Sequence, residues 1–172
     1  MAKSSEQPDH VDRARAQWAA VLPDLDTEAM AVLGRIWRLS NLARPSIEAT
    51  FARYGLERGE FDVVATLLRS GPPHRLTPTQ LYGLMLVASG TLTHRLGKLE
   101  KAGLIKRVKS AEDGRSLAVE LTAKGRKVTE AAFREDMASE KALMAGMSKA
   151  DRAELARLLK VLTAVMEKNA LG

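Results

Sequence analysis

The fold is decided by residues 77–122, which read TPTQLYGLMLVASGTLTHRLGKLEKAGLIKRVKSAEDGRSLAVELT. Two helix starts stand out in this stretch, at Thr77 and at Ser89, because a hydroxyl side chain at the N-cap accepts a hydrogen bond from the first turn. Pro78 suits the first helical position, and Gln80, three residues after the cap, completes a predicted capping box. The stretch therefore opens with two short helices joined by a turn.

A two-stranded ribbon follows the helices. Residues 105–109 and 117–121 have the alternating apolar pattern of β-strands. Between them, Asp113 and Gly114 form a strong turn signal. Helix, turn, helix and ribbon in this order predict a mainly α fold with a small β-wing, a winged helix-turn-helix with additional helices at both ends.

Positive charge is concentrated in the same region. Residues 75–127 carry 11 Lys and Arg against 4 Asp and Glu, a net charge of +7, whereas the whole chain carries +6. A basic block in an otherwise balanced chain favours a polyanion such as DNA, because each neutralised phosphate releases counterions. An anionic membrane is less favoured, since the charge lies around a hairpin rather than along a long amphipathic helix.

Composition restricts the other classes of protein. The 172 residues suffice for one compact domain with helical extensions, and the chain contains no cysteine for a disulfide or a thiolate metal site. We find no apolar run of membrane-spanning length, no glycine-rich phosphate loop, no Gly-x-Ser-x-Gly and no metal-ligand cluster. The sequence therefore predicts a cytoplasmic protein that is not an enzyme and needs no cofactor or metal.

Apolar spacing predicts helices on either side of the basic block. They cover residues 9–22, a run through Ala52 in which Pro45 predicts a kink or a break, residues 57–68, residues 122–146, and a last helix capped by Ser148. The predicted segments are a disordered N-terminus at 1–8, N-terminal helices at 9–56 with an extra helix and a dimerisation helix, the DNA-binding domain at 57–122, and C-terminal dimerisation helices at 123–172. Packing of the terminal apolar stripes against the chain's own core is the alternative.

One face of the second helix is the candidate recognition surface. Leu92, Leu96 and Leu99 recur at core spacing, so the polar and basic side chains lie opposite. In an isolated helix, such a polar face is often an ordinary solvent-exposed surface. The neighbouring helix and ribbon favour DNA contact instead. The predicted DNA-binding residues are Thr77, Gln80, Ser89, Gly90, Thr91, Thr93, His94, Lys98, Lys109, Asp113 and Arg115.

The wing has its own candidate contact. Arg115 is predicted to enter a minor groove, where a guanidinium meets concentrated negative potential, with Asp113 bracing it. A solvent-exposed hairpin tip with a weak ion pair is the alternative.

The wing sequence resembles that of a known family. Asp113, Arg115, Val119, Leu121 and Thr122 match all five fixed positions of Asp-x-Arg-x-x-x-Val-x-Leu-Thr, the wing signature of the MarR (multiple antibiotic resistance repressor) family. The resemblance implies a homodimeric transcriptional regulator that binds a palindromic operator in double-stranded DNA.

The chain looks especially like the urate-responsive, PecS-like branch of that family, which adds an N-terminal helix bearing a tryptophan. That resemblance implies a ligand site formed by Trp18, Asp62, Arg95 and Arg107, and a repressor that a small anionic aromatic metabolite, urate or another purine, releases from DNA. An indole offers a flat apolar face and a guanidinium pairs with an anion. From the residues alone, core packing for Trp18 and Trp37 and a helix-start charge for Asp62 are the simpler interpretations.

A second function remains open from the sequence. The same basic block suits a ligand-independent architectural or nucleoid-type DNA-binding protein. Sequence-independent affinity with a steep salt dependence would distinguish that class.

Overall fold

The computed structural model describes residues 7–86, 92–109 and 117–170. Seven helices and three strands lie within these ranges, which confirms the predicted mainly α fold with a small β-wing. In chain order they are α1 His10–Val21, α2 Glu28–Ala52, α3 Arg58–Arg69, β1 Arg75–Leu76, α4 Pro78–Leu84, α5 Leu92–Lys101, β2 Ile105–Lys109, β3 Leu117–Leu121, α6 Ala123–Leu143 and α7 Lys149–Ala170.

Local caps start several of these helices. At α4, Thr77 Oγ1 accepts the Gln80 N–H at 3.3 Å and the Gln80 side chain accepts the Thr77 N–H at 2.9 Å, so the predicted capping box is confirmed. Ser148 Oγ likewise accepts the Asp151 N–H at the start of α7. Because such caps satisfy otherwise unpaired N–H groups, the sequence alone located these helix starts.

Helix α2 runs through Pro45, so of the predicted kink or break the structure shows no break. Proline removes one backbone donor, and that local cost is offset where the following turns are held by packing. Thr50 and Phe51, in those following turns, are both buried.

The wing contains a strand that the sequence did not predict. The sheet order is β1-β3-β2 with antiparallel pairing, and Arg75 lies opposite Glu120 while Ile105 lies opposite Leu121. Strand β1 has only two residues, too few for any periodicity to be visible in the sequence. The two strands of the predicted ribbon are confirmed.

The chain forms two compact units. Unit 2 covers residues 40–141 and contains the wing and the two short helices. Phe51 and Phe61 stack in its core with ring centroids 4.0 Å apart. The other buried apolar side chains around them include Leu56, Val63, Val64, Leu67, Leu81, Leu96, Leu99, Leu104, Ile105, Val119 and Leu121. The predicted DNA-binding domain, 57–122, falls inside this unit, and its limits stay a prediction.

Unit 1 covers residues 1–39 and 142–172. In it α1 packs on α2, where Val11 is buried against Gly34 and Arg35 pairs with Asp9 and Asp12 at 2.8 and 2.7 Å. The interpretation of the tryptophans as core residues is wrong for the single chain. Trp18 is 47% and Trp37 76% exposed, because both lie on outward faces of their helices.

Within the described ranges, no helix is both long enough and apolar enough to span a bilayer.

Candidate nucleic-acid interface and effector site

Helices α4 and α5 form the candidate DNA-reading pair. Leu81 on α4 and Leu96 and Leu99 on α5 are buried in the core of unit 2, which fixes both helices from behind. Thr93 and His94, near the start of α5, are exposed on its outer side. The amphipathic assignment of α5 therefore agrees with the structure.

Five predicted DNA contacts lie outside the described residues. They are Ser89, Gly90 and Thr91, between α4 and α5, and Asp113 and Arg115, between β2 and β3. Their roles stay predictions.

Thr77, Gln80 and Lys109 have defined positions. Thr77 is partly buried and Gln80 exposed, and both take part in the α4 capping box. Lys109 ends β2 with an exposed side chain, opposite Leu117. All three lie beside segments that are predicted to contact DNA.

Lys98 has partners inside the protein. Its Nζ lies 2.6 Å from Glu57 Oε1 and 3.3 Å from Glu60 Oε1, at the start of α3. The hydrogen bonds that Lys98 donates to Glu57 and then to Glu60 raise the pKa of Lys98, and the same ammonium lowers the pKa of Glu57. The helix face on which Lys98 was predicted to meet DNA is therefore also in contact with α3.

Arg95 lies one turn earlier on the same face of α5. A Cβ atom built on Gly59 would come within 2.6 Å of Arg95 Nε, so the guanidinium occupies the space that a side chain at position 59 would fill. Glycine at this position allows the α5 arginine to reach the backbone of α3.

Asp62 is buried on α3, with only 7% of its surface exposed. Its Oδ1 accepts the N–H of Leu86, two residues after α4, at 3.4 Å. Gly59 and Asp62 are three residues apart, so they are neighbours on one face of α3. On this face Asp62 contacts Leu86, and Gly59 contacts Arg95 of α5.

The other two predicted ligand residues lie elsewhere. Arg107 on β2 pairs with Glu100 of α5 at 3.2 Å and is 40% exposed. Trp18 belongs to α1 in unit 1, whereas the other three residues belong to unit 2.

Sequence reasoning missed an ion-paired cluster across the wing. Glu120 on β3 accepts from Arg75 on β1 at 2.8 Å and pairs with Lys106 on β2 at 2.7 Å. Lys106 and then Arg75 lower the pKa of Glu120. The three strands are therefore joined by ion pairs as well as by backbone hydrogen bonds. The sequence could have predicted these ion pairs only if the register of β1 against β3 had been known.

Asp136 on α6 is the other side chain that the sequence did not single out. It is 4% exposed, and among the described residues its Oδ1 has no hydrogen-bond partner. Burial, with a smaller effect of Glu140, raises its pKa to about 6. No three His, Asp or Glu side chains in the described ranges are close enough to hold a metal ion.

Comparison with known proteins gives a consistent result. The MarR family model matches residues 54–116. The HTH-type transcriptional regulator PecS of Dickeya dadantii is 34% identical over 143 residues, which cover 83% of this chain and 86% of PecS.

Solved structures share the fold. Bordetella bronchiseptica BpsR, whose DNA binding is regulated by 6-hydroxynicotinic acid, matches with a TM-score of 0.68 and 18% identity over 77% of this chain and 92% of its own. Sco3205 of Streptomyces coelicolor, a MarR family regulator solved with DNA, matches with a TM-score of 0.68 and 20% identity over 81% of this chain and 88% of its own.

Proposed function

The chain belongs to the MarR family of DNA-binding transcriptional regulators, and we propose that it is a homodimeric repressor that a small anionic aromatic metabolite, urate or another purine, releases from a palindromic operator. One observation carries the effector part of this proposal. Asp62 and Arg95, assigned to the ligand by resemblance to the PecS-like branch, lie on neighbouring contacts of α3, Asp62 with Leu86 and Arg95 with Gly59.

The arrangement suggests how a ligand would act on DNA binding. An anion that pairs with Arg95 would compete with the present position of the guanidinium beside Gly59, since arginine forms strong two-point hydrogen bonds with anions. The same anion would repel the carboxylate of Asp62, which holds the N–H of Leu86. Both changes move the start of α5, whose N-terminal residues read bases in helix-turn-helix proteins.

The chemical class of the ligand follows from the residues proposed to hold it. Arg95 and Arg107 supply positive charge, and Trp18 supplies an exposed indole. Regulation of the fold neighbour BpsR by 6-hydroxynicotinic acid, a small aromatic acid, supports this class.

Unit 1 supports a homodimer. Helix α7 has 22 residues and none of them is buried within the single chain, although it carries an apolar stripe. A groove of about 550 Å³ between α2 and α7 is lined by Val32, Ile36, Leu155 and Leu159, among others. Such a surface needs a cover, and a second copy of the chain would provide it. Two copies would present two recognition helices about one DNA turn, roughly 34 Å, apart.

DNA contacts are proposed for the start of α5 and for the wing. Thr93 and His94 would face base edges in the major groove, and Arg115 would enter the minor groove. The remaining proposed contacts are Thr77, Gln80, Ser89, Gly90, Thr91, Lys109 and Asp113.

Ligand binding can be tested through the two tryptophans of the chain. A Trp37→Phe variant keeps Trp18 as its one indole, and its fluorescence should be quenched by urate in a saturable way. Trp18→Phe is the matched control, since absorption of light by urate affects both variants equally. Arg95→Gln in the Trp37→Phe background should raise the urate concentration needed for half-maximal quenching about tenfold or more. Equal quenching of the two single-tryptophan variants would contradict the assigned site.

A further inference from the structure

The strongest unassigned feature is the clamp, which we define as Glu57, Glu60 and Lys98. The Lys98 ammonium lies 2.6 Å from Glu57 Oε1 and 3.3 Å from Glu60 Oε1. Glu57 is exposed, but the side chain of Glu60 is only 7% exposed. Lys98 therefore joins the recognition helix to one surface carboxylate and one buried carboxylate of α3.

Glu60 is held in a fixed orientation. Its Oε2 accepts the backbone N–H of Glu57 at 2.8 Å as part of the α3 capping box, while its Oε1 faces Lys98. A carboxylate at a helix N-terminus is stabilised by the helix dipole and by capping. The Glu60 side chain is already ordered before Lys98 pairs with it. The entropy cost of forming this ion pair is therefore smaller than for an ordinary surface pair.

The clamp acts on the end of α5 that points away from bases. Lys98 lies in the last turn of α5, whereas recognition helices contact base edges with their N-terminal residues. Arg95, one turn earlier, meets α3 at Gly59. Helix α5 thus touches the start of α3 at two successive turns, through Arg95 and through Lys98.

We propose that Glu57 and Glu60 hold Lys98 so that this residue positions the recognition helix against α3 instead of contacting DNA. This replaces the phosphate or base contact that the helix face alone predicts for Lys98. The proposal rests on DNA binding, which the family establishes, and it does not depend on the effector or on a palindromic operator.

The two possible roles of Lys98 differ in salt dependence. A lysine that neutralises a phosphate contributes about 0.9 to the slope of log affinity against log salt concentration. A lysine that only positions the helix contributes nothing to that slope, but its loss weakens specific binding more than non-specific binding, because base contacts need the correct helix angle.

The test uses the full-length protein and a duplex that the wild type selects from a random DNA pool, with a scrambled duplex for non-specific binding. For Lys98→Gln and Glu57→Gln we expect operator affinity to fall about three- to tenfold, with the salt slope of Lys98→Gln unchanged and non-specific affinity nearly constant. Lys98→Arg keeps the positive charge between Glu57 and Glu60 and should keep most of the affinity.

Glu154→Gln is the matched control. It removes the same charge from an exposed ion pair on α7, so it reports the effect of net charge alone. The proposal is overturned if Lys98→Gln lowers the salt slope by about one, or if Glu57→Gln tightens DNA binding beyond the Glu154→Gln control by freeing the lysine.

A measurement without DNA tests the interactions of the clamp independently of DNA binding. In a double-mutant cycle on thermal unfolding, Glu57→Gln and Lys98→Gln should be non-additive, as expected for residues in contact. Additive effects would contradict the clamp. If the wild-type protein selected no duplex, that result would contradict operator binding. The double-mutant cycle would still show whether Glu57 and Lys98 interact.

Discussion

At the scale of single residues, much of the positive charge in the basic block is paired within the protein. Lys106 and Arg75 share Glu120, Arg107 pairs with Glu100, and Lys98 pairs with α3. These pairs orient the side chains and cancel part of the local field. Glu100 and Glu120 are already counted in the net charge of residues 75–127, but Glu57 and Glu60 lie outside that stretch, so the net charge of the block overstates the positive charge available to phosphates.

Asp136 gives a prediction about pH. Its folded-state pKa of about 6 lies above the usual aspartate value of 3.8, so folding favours its protonated form. This contribution to stability is complete below about pH 4 and is lost as the pH rises through 6. Asp136→Asn should therefore raise the free energy of unfolding at pH 7.5 by about 1 to 2 kcal/mol and give no gain at pH 4.

Urea unfolding at the two pH values measures this effect. Asp24→Asn, at an exposed position, is the control for loss of a carboxylate. Equal effects of Asp136→Asn at pH 4 and pH 7.5 would contradict the raised pKa.

Gly125 gives a prediction about packing. A Cβ at this position in the first turn of α6 would lie 2.9 Å from the carbonyl carbon of Leu104 and 2.9 Å from Leu121 Cδ1. Since the backbone of Leu104 cannot move without disturbing the wing, Gly125→Ala should destabilise the protein by about 1 to 3 kcal/mol.

Calorimetry on the variant and on Gly83→Ala checks this. A Cβ at Gly83 meets nothing within 4 Å, so that variant should be neutral or slightly more stable, by about 0.5 to 1 kcal/mol. The same Tm for both alanine variants would argue against the close approach of α6 to Leu104.

At the scale of the elements, features that depend on neighbours in sequence could be predicted. The capping box at Thr77, the strands at 105–109 and 117–121 and the buried face of α5 all follow from local chemistry or short periods. Strand β1 could not be predicted, because it exists only through its pairing with β3.

The candidate site was predictable in the same limited way. Resemblance pointed to Asp62 and Arg95, but their contacts with Leu86 and Gly59 depend on how α3 packs on α5. Lys98 was assigned to DNA from its helix face, since its partner Glu57 lies 41 residues away in sequence. Helix periodicity specifies a face, and tertiary packing decides what covers it.

Helix α7 gives a prediction about assembly. Leu158, 50% exposed in the single chain, lies on the apolar stripe. Leu158→Glu should convert the proposed dimer to a monomer or weaken it at least tenfold, because a charge would be buried against apolar side chains. Ala153→Glu adds the same charge on the opposite face and should leave the dimer intact. Sedimentation velocity over a concentration series measures both, and a Leu158→Glu variant that stays dimeric would exclude this stripe as the interface.

At the scale of the whole molecule, the family fold supplies a DNA-reading unit and a second unit with apolar helices. The ligand residues proposed by resemblance are divided between them, with Trp18 in one and Asp62, Arg95 and Arg107 in the other. Coupling between ligand and DNA requires that the ligand bind one DNA-binding state of the protein more tightly than another.

Arg115 gives a prediction about DNA binding by the intact protein. If its guanidinium lies in the minor groove, Arg115→Ala should weaken operator binding about tenfold or more at fixed salt and leave the oligomeric state unchanged. Arg157→Ala, at an exposed position on α7, is the control for loss of an arginine. Unchanged operator affinity of Arg115→Ala would show that the wing does not contact DNA as proposed.

The central claim is tested most directly by the affinity of the wild-type protein for a selected operator duplex, measured by fluorescence anisotropy with and without urate. The dissociation constant should rise at least tenfold at millimolar sodium urate, and an equal concentration of sodium chloride should have little effect. The same dissociation constant in both solutions, with xanthine also inactive, would contradict release by a purine while leaving DNA binding and family membership in place.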